Sequence, residues 1–222
     1  MTVHMKREIG KLKKMLLSLC DVVESSFVQA VKSIKQKDSA LARKVIEADV
    51  EIDQMEINLE EECLKILALY QPVAIDLRFI ITALKINSDL ERIGDLAVNI
   101  AERSEFLAKQ KKVDIPFDLD KMAEKTQLML RNSLKALVDM NCDLALRVCA
   151  DDDEVDNMNR RMFEIVQDRI RAHPEHIEPL IHLLSASRHL ERIADHATNI
   201  AEDVVYMVEG KIVRHKAEDY KS

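Results

Sequence analysis

The sequence predicts an all-α protein built from two homologous antiparallel three-helix bundles, with six long helices in total. Three observations support this fold class. The 222 residues include only 3 glycines, 4 prolines, 5 phenylalanines and 3 tyrosines, whereas β-sheet folds need frequent turns rich in Gly and Pro. The composition is 47% hydrophobic and 33% charged, which is typical of long amphipathic helices. The third observation is an internal repeat.

The six helices follow from hydrophobic residues that recur every three or four positions between a few breaks. Asp38 is a suitable N-cap for the second helix, and breaks are predicted at Gln71-Pro72 and His173-Pro174. The predicted helices run from about His4 to Gln36, Ser39 to Tyr70, Val73 to Lys109, Asp118 to Met140, Cys142 to Ala172, and Glu178 to Gly210.

The repeat relates the two halves of the chain. Residues 89–102 (DLERIGDLAVNIAE) and 189–202 (HLERIADHATNIAE) are identical at ten of fourteen positions. The segment 111–117, which contains Pro116, reads as a linker between them. We therefore expect a first three-helix repeat over residues 1–110 and a second over 118–222, packed end to end or side by side.

Charge and hydropathy exclude several classes of protein. The net charge of −7 argues against nucleic-acid binding, which requires a basic surface, and favours cations as ligands. No apolar run is long enough to span a membrane or to form a secretion signal, so we expect a cytoplasmic protein. The spacing of the four cysteines, Cys20, Cys63, Cys142 and Cys149, indicates neither a zinc ribbon nor a disulfide framework.

Carboxylates are grouped on the predicted helices. At 100° per residue, Glu91, Asp95 and Asn99 share one face of the third helix, and Glu191, Asp195 and Asn199 share the same face of the sixth. The second and fifth helices carry further acid pairs at i and i+4, Asp49 with Asp53 and Asp152 with Asp156. Like charges at this spacing repel each other. If the helices are adjacent, four carboxylates converge in each half and require a cation.

The cation could be an arginine, such as Arg92, Arg188 or Arg192, or a metal ion. Oxygen ligands favour hard cations such as Mg²⁺, Mn²⁺, Ca²⁺ or Fe³⁺ over thiolate-preferring metals. Two alternatives remain open. A carboxylate-bridged metal enzyme of ferritin-like type is disfavoured because no Glu has a His three residues later, and a metal-free helical scaffold would leave the acids solvated. No nucleophile with a base and no glycine-rich loop is present.

Three histidines, His182, His189 and His196, recur every seven residues on the last helix. On the helical wheel they lie well away from the carboxylates. We interpret them as a polar flank of the helix, with a subunit or partner contact as the alternative.

The segment PVAIDLRFIITALKINSDLERIGDLAVNIAE (residues 72–102), together with HLERIADHATNIAE in the second half, resembles the PhoU family of phosphate-specific transport accessory and regulatory proteins. The resemblance covers essentially the whole chain. It implies a non-enzymatic cytoplasmic protein, often a homodimer, that binds metal clusters through its acidic motifs. It also implies an adaptor between the phosphate ABC transporter ATPase and a phosphate-sensing histidine kinase, which represses the phosphate-starvation response and reaches the membrane only through these partners.

Carried over to this sequence, the resemblance implies two metal sites. One would use Asp49, Asp53, Glu91, Asp95 and, as an additional candidate, Asn99. The other would use Asp152, Asp156, Glu191, Asp195 and, as an additional candidate, Asn199. Iron is the first expectation, with manganese, magnesium or zinc as alternatives, and each site could hold more than one ion.

Overall fold

The computed structural model describes residues 3–110 and 117–212. These residues form six long α-helices and contain no β-strand. The helices are α1 (Val3–Gln36), α2 (Ser39–Tyr70), α3 (Ala74–Ala108), α4 (Leu119–Asp139), α5 (Cys142–Ala172) and α6 (Ile177–Glu209), with a 3-10 turn at Pro174–His176 before α6. The predicted all-α fold is confirmed, and each predicted helix end agrees within one residue. Except for Phe117, the predicted linker over 111–117 lies outside the described residues.

Local side-chain chemistry sets the helix ends. The Asp38 carboxylate accepts hydrogen bonds from the backbone N–H groups of the first turn of α2, including that of Leu41 at 3.0 Å. At the start of α5, Asn141 Oδ1 accepts from the backbone N–H of Leu144 at 3.0 Å. Both caps satisfy N–H groups that have no partner within the helix. After α6, Gly210 takes the left-handed backbone conformation (φ 74°) that favours glycine.

The two three-helix bundles lie side by side. α1, α2 and α3 pack together in the first half, and α4, α5 and α6 in the second. The halves meet where α3 packs against α6 and α1 against α4. Lys85 pairs with Asp203 near one end of the α3–α6 contact, and Phe106 stacks on His182 near the other. These pairings require α3 and α6 to run antiparallel.

The main hydrophobic core of the described residues extends through both halves. Each helix contributes buried side chains, for example Phe27, Leu59, Ile93, Leu130, Val148 and Ile193. A smaller cluster of Met162, Val166 and Leu180 lies between α5 and α6. The four cysteines are free in the structure, and Cys20, Cys63 and Cys149 are buried. Within the described residues, no helix combines the length and the apolar character needed to cross a membrane.

Candidate metal sites

The first acidic cluster lies between α2 and α3. Gly94 lies where these helices approach closely, because a Cβ atom there would lie 3.2 Å from the Ile52 side chain and 3.4 Å from Asp49 Oδ1. Asp49 and Asp53 of α2 lie close enough to two carboxylates of α3 for the charges to interact. The two α3 residues in this cluster are Glu91 and Asp95.

Electrostatic repulsion marks this first cluster. Partial burial, followed by the charges of Asp53 and Asp95, raises the pKa of Asp49 from 3.8 to about 6. Burial and the neighbouring Asp95 also raise the pKa of Glu91. One cation of the protein lies at the edge: Arg92 approaches Glu91 Oε2 at 3.4 Å and Asp95 Oδ2 at 3.3 Å. Among the described residues, Arg92 is the one cation within ion-pair distance of these four acids, so most of their negative charge is left for another cation.

The structure adds a fifth acid, Glu56, which is not among the residues predicted from the sequence. Glu56 follows Asp53 by three residues on α2, and burial together with the charges of Glu60 and Asp53 raises its pKa. Its charge also acts on Glu91. The Asn87 side-chain amide donates to the backbone oxygen of Glu56 at 3.0 Å and to Glu56 Oε1 at 3.3 Å. Its i, i+3 spacing from Asp53 places both carboxylates on the same side of α2, and this spacing could have identified Glu56 from the sequence.

The second repeat places Asn159 at the position that corresponds to Glu56. Ser187, the counterpart of Asn87, donates to Asn159 Oδ1 at 2.9 Å. The contact is therefore repeated with an amide in place of the acid. Glu56 makes the first cluster one carboxylate richer than the second.

The second acidic cluster lies between α5 and α6. One ligand oxygen each from Asp152, Asp156 and Asp195 lies within 4.8 Å of the other two. Burial is the largest cause that raises the pKa of Asp152 and of Asp195 from 3.8 to about 6, and neighbouring carboxylates raise them further. The pKa of Glu191 is raised by burial and then by Asp156. All four acids predicted for this half therefore interact.

The second cluster suits a hard cation. Asp152 Oδ1 is buried and, among the described residues, has no hydrogen-bond donor in bonding geometry, and the nearby Thr198 hydroxyl offsets only part of the rise in the pKa of Asp152. Arg160 reaches Asp156 Oδ2 only at 3.5 Å. Glu191 and Asp195 line an open groove between α5 and α6, so an ion has access from solvent. A buried carboxylate oxygen without a partner, within an all-oxygen donor set, fits Mg²⁺, Mn²⁺ or iron.

Comparison with known proteins gives the family. The model of the PhoU domain matches residues 16–104 and 119–204, one match in each repeat. The chain belongs to the PhoU family. It is 39% identical over 210 residues to phosphate-specific transport system accessory protein PhoU homolog 1 of Thermotoga maritima, covering 94% of this chain and 90% of the relative. It is 38% identical over 209 residues to the PhoU homolog of Pseudomonas aeruginosa, covering 94% of this chain and 86% of the relative.

Solved PhoU structures share the fold. The crystal structure of PhoU from Pseudomonas aeruginosa matches with a TM-score of 0.89 and 37% identity, over 93% of this chain and 99% of that chain. The phosphate transport system regulatory protein PhoU from Streptococcus pneumoniae matches with a TM-score of 0.83 and 28% identity, over 94% and 99% of the two chains. The PhoU-type arrangement of six helices is thereby confirmed.

The asparagine of the second PhoU repeat lies at the contact between the halves. Asn199 Nδ2 donates to Asp89 Oδ1 of α3 at 3.3 Å. Asn99, its counterpart on α3, is half-buried. The Asn199 amide therefore serves the packing of α6 on α3, and a role for either asparagine as a metal ligand stays a prediction.

The three heptad-spaced histidines also face α3. His182 stacks on Phe106 with ring centroids 3.7 Å apart, and His196 Nδ1 lies 2.8 Å from Asp89 Oδ1. His189 is half-buried, and burial followed by the charge of Arg103 lowers its pKa from 6.5 to about 4. The polar flank predicted from sequence is thus part of the contact between the two repeats.

Proposed function

We propose that this PhoU-family chain is a metal-dependent, non-enzymatic regulator of phosphate uptake. Its relatives are named phosphate-specific transport system accessory proteins. In this proposal the protein acts in the cytoplasm as a homodimer, with one PhoU repeat over 1–110 and the other over 118–222. It joins the phosphate ABC transporter ATPase to a phosphate-sensing histidine kinase and represses the phosphate-starvation response. It does not bind nucleic acid, and it reaches the membrane only through these partners.

The observation that carries the metal-binding part is the duplicated acidic cluster, with a buried Asp152 Oδ1 in its second copy that no donor among the described residues reaches in bonding geometry. Asp49, Asp53, Glu91 and Asp95 would hold one site, and Asp152, Asp156, Glu191 and Asp195 the other. Positive charge at each site would offset the repulsion between carboxylates on adjacent helices. Each site would thereby stabilise a helix pair and give the surface a charge that depends on metal. Iron is the first candidate, followed by manganese, magnesium and zinc, with more than one ion possible at each site.

Elemental analysis and thermal unfolding test the metal sites. Protein purified without chelator or affinity tag is expected to contain metal, and excess EDTA should lower its melting temperature. The double variant Asp49→Asn/Asp152→Asn should contain less metal. The matched control is Glu47→Gln/Asp151→Asn, which removes two exposed acids from the same two helices and should retain it. An unchanged melting temperature after metal is removed would contradict a structural role for the ions.

A gene replacement tests regulation. Deletion of the gene should switch on phosphate-starvation enzymes in phosphate-rich medium, and the wild-type chain should restore repression. The Asp95→Ala/Asp195→Ala variant should fail to restore it at equal protein level. Normal repression in the deletion strain would refute the regulatory role. Repression restored by this variant, in a protein without metal, would favour a plain helical scaffold.

The ferritin-like enzyme is tested separately. Protein loaded with iron or manganese is expected to show no turnover of dioxygen or of phosphoesters. Turnover that is lost in Asp49→Asn/Asp152→Asn would contradict the non-enzymatic proposal.

A further inference from the structure

A second kind of metal-ligating cluster lies in the turn between α5 and α6, outside both acidic clusters. One ligand atom each from His173, Glu175 and His176 lies within 4.8 Å of the other two. His173 Nδ1 is 3.3 Å from Glu175 Oε1, and the two imidazole centroids are 5.7 Å apart. His173 and Glu175 are exposed and His176 is half-buried. The three donors are therefore close together and open to solvent.

The backbone fixes the positions of these donors. The N–H of His173 donates to Arg169 O at 2.8 Å and ends α5, and the N–H of His176 donates to His173 O at 3.0 Å. Pro174 is the first residue of the intervening 3-10 turn, and its ring restricts φ to a helical value. The 3-10 turn is only three residues long, so it brings the backbone of His176 back within hydrogen-bonding distance of His173. The two imidazoles therefore come close together, and both long helices hold the turn in place.

The corresponding turn of the first repeat supports a role other than folding. Pro72 there corresponds to Pro174. The residues around Pro72 are Gln71, Val73 and Ala74, none of which offers an imidazole or a carboxylate. The same break in the chain is thus formed without these donors. The second turn has ligands that the repeat architecture does not require.

The donor chemistry differs from that of the acidic clusters. Two imidazoles and one carboxylate suit Zn²⁺ and similar divalent transition metals, whereas all-oxygen sites suit harder ions. A backbone hydrogen bond at Glu175 and then the neighbouring His173 lower the pKa of its carboxyl group, so it is ionised at neutral pH. We propose that His173, Glu175 and His176 form a Zn²⁺ site with at least one coordination position open to water or to a partner. Bound Zn²⁺ would tie the end of α5 to the start of α6.

Histidine modification resolved by mass spectrometry tests this site in the full chain. Diethylpyrocarbonate reacts with accessible, unprotonated imidazoles. In excess Mg²⁺, which competes for the acidic clusters, added Zn²⁺ is expected to slow modification of His173 and His176 in parallel. Exposed His4 serves as the reference in the same sample and should react at an unchanged rate. Equal slowing at His4, or no slowing at His173 and His176, would overturn the proposal.

A matched pair of variants tests the carboxylate ligand. Glu175→Gln keeps the size of the side chain but weakens it as a ligand. Half-protection of the two histidines should therefore need a Zn²⁺ concentration at least about tenfold higher, which is the smallest loss of affinity typical when a group that supports a metal site is replaced. Glu178→Gln removes a nearby exposed carboxylate on α6 and should leave the protection curve unchanged. Both residues are exposed, and circular dichroism should show both variants folded. The same shift in both variants, or in neither, would refute coordination by Glu175.

Discussion

Replacement of Asp152 by asparagine is expected to stabilise the protein without metal and to weaken its stabilisation by metal. In the native protein the Asp152 carboxylate is partly buried beside Asp156 and Asp195. Asparagine has nearly the same shape, carries no charge and can donate a hydrogen bond to a neighbouring carboxylate. The variant therefore removes repulsion when metal is absent and removes a ligand when metal is present.

The magnitude follows from the pKa of Asp152, which is raised from 3.8 to about 6. A difference of this size corresponds to about 3 kcal/mol against ionisation at pH 7. The side chain remains partly exposed, so solvent screening reduces the expected gain to about 1 kcal/mol. For a chain of this length that gain corresponds to a rise in melting temperature of about 3 °C.

The effect depends on pH in a defined direction. The folded-state pKa lies above the unfolded value, so the folded state binds the proton more tightly. The metal-free wild type therefore loses stability as the pH rises from about 4 to about 6, and the loss is complete above that window. The variant lacks the part of this loss that is due to Asp152, whereas Asp49 and Asp195 still titrate in both proteins. Its advantage should be absent at pH 4 and greatest at pH 7.5.

Thermal unfolding followed by circular dichroism at these two pH values, with and without added Mn²⁺, measures both effects. When the free metal concentration is a hundredfold above the dissociation constant, a bound ion stabilises the folded state by about 2.7 kcal/mol. The variant should lose most of the metal-dependent stabilisation that comes from the second cluster. Asp151→Asn, an exposed neighbour on α5, is the control and should behave as wild type. A metal-free Asp152→Asn protein that is less stable than wild type at pH 7.5, or equally changed at both pH values, would refute the reasoning.

Three further predictions concern the fold. Asp38→Ala and Asn141→Ala should each lower the free energy of unfolding in urea by about 1 kcal/mol, because each removes an N-cap. Gly94→Val should lower it by about 2 kcal/mol, because even a Cβ atom would lie 3.2 Å from Ile52. With DTNB at pH 8, Cys142, which is only partly buried, should react before the three buried thiols, whose burial raises each pKa to about 12. These are Cys20, Cys63 and Cys149.

Each of these three predictions would be contradicted by a specific result. Asp139→Ala, which replaces an exposed residue, is the control for the two cap variants. If the cap variants are as stable as this control, the caps do not contribute to the free energy of unfolding. Gly94→Val with wild-type stability would show that α2 and α3 do not depend on the small residue. Rapid reaction of all four thiols in the native state would contradict the burial of the cysteines.

Most of the fold could be predicted because its determinants are local. Hydrophobic spacing defines each helix, and a cap residue such as Asp38 sets its start without reference to distant residues. The same holds for Glu91 with Asp95, because residues four apart on one helix always share a face. Glu56 was equally accessible by its spacing from Asp53. Its place in the cluster became evident only from its charge interaction with Glu91 of the neighbouring helix.

The sequence by itself determined the six helices, the repeat and the acidic faces of α2, α3, α5 and α6, since these depend on residue type and helical periodicity. Only the tertiary structure decided that the bundles lie side by side and that α6 runs antiparallel to α3. It also decided that both His196 and Asn199 of α6 contact the Asp89 carboxylate of α3. The physical reason is that the register between helices more than a hundred residues apart is set by how their side chains pack, not by the periodicity of either helix.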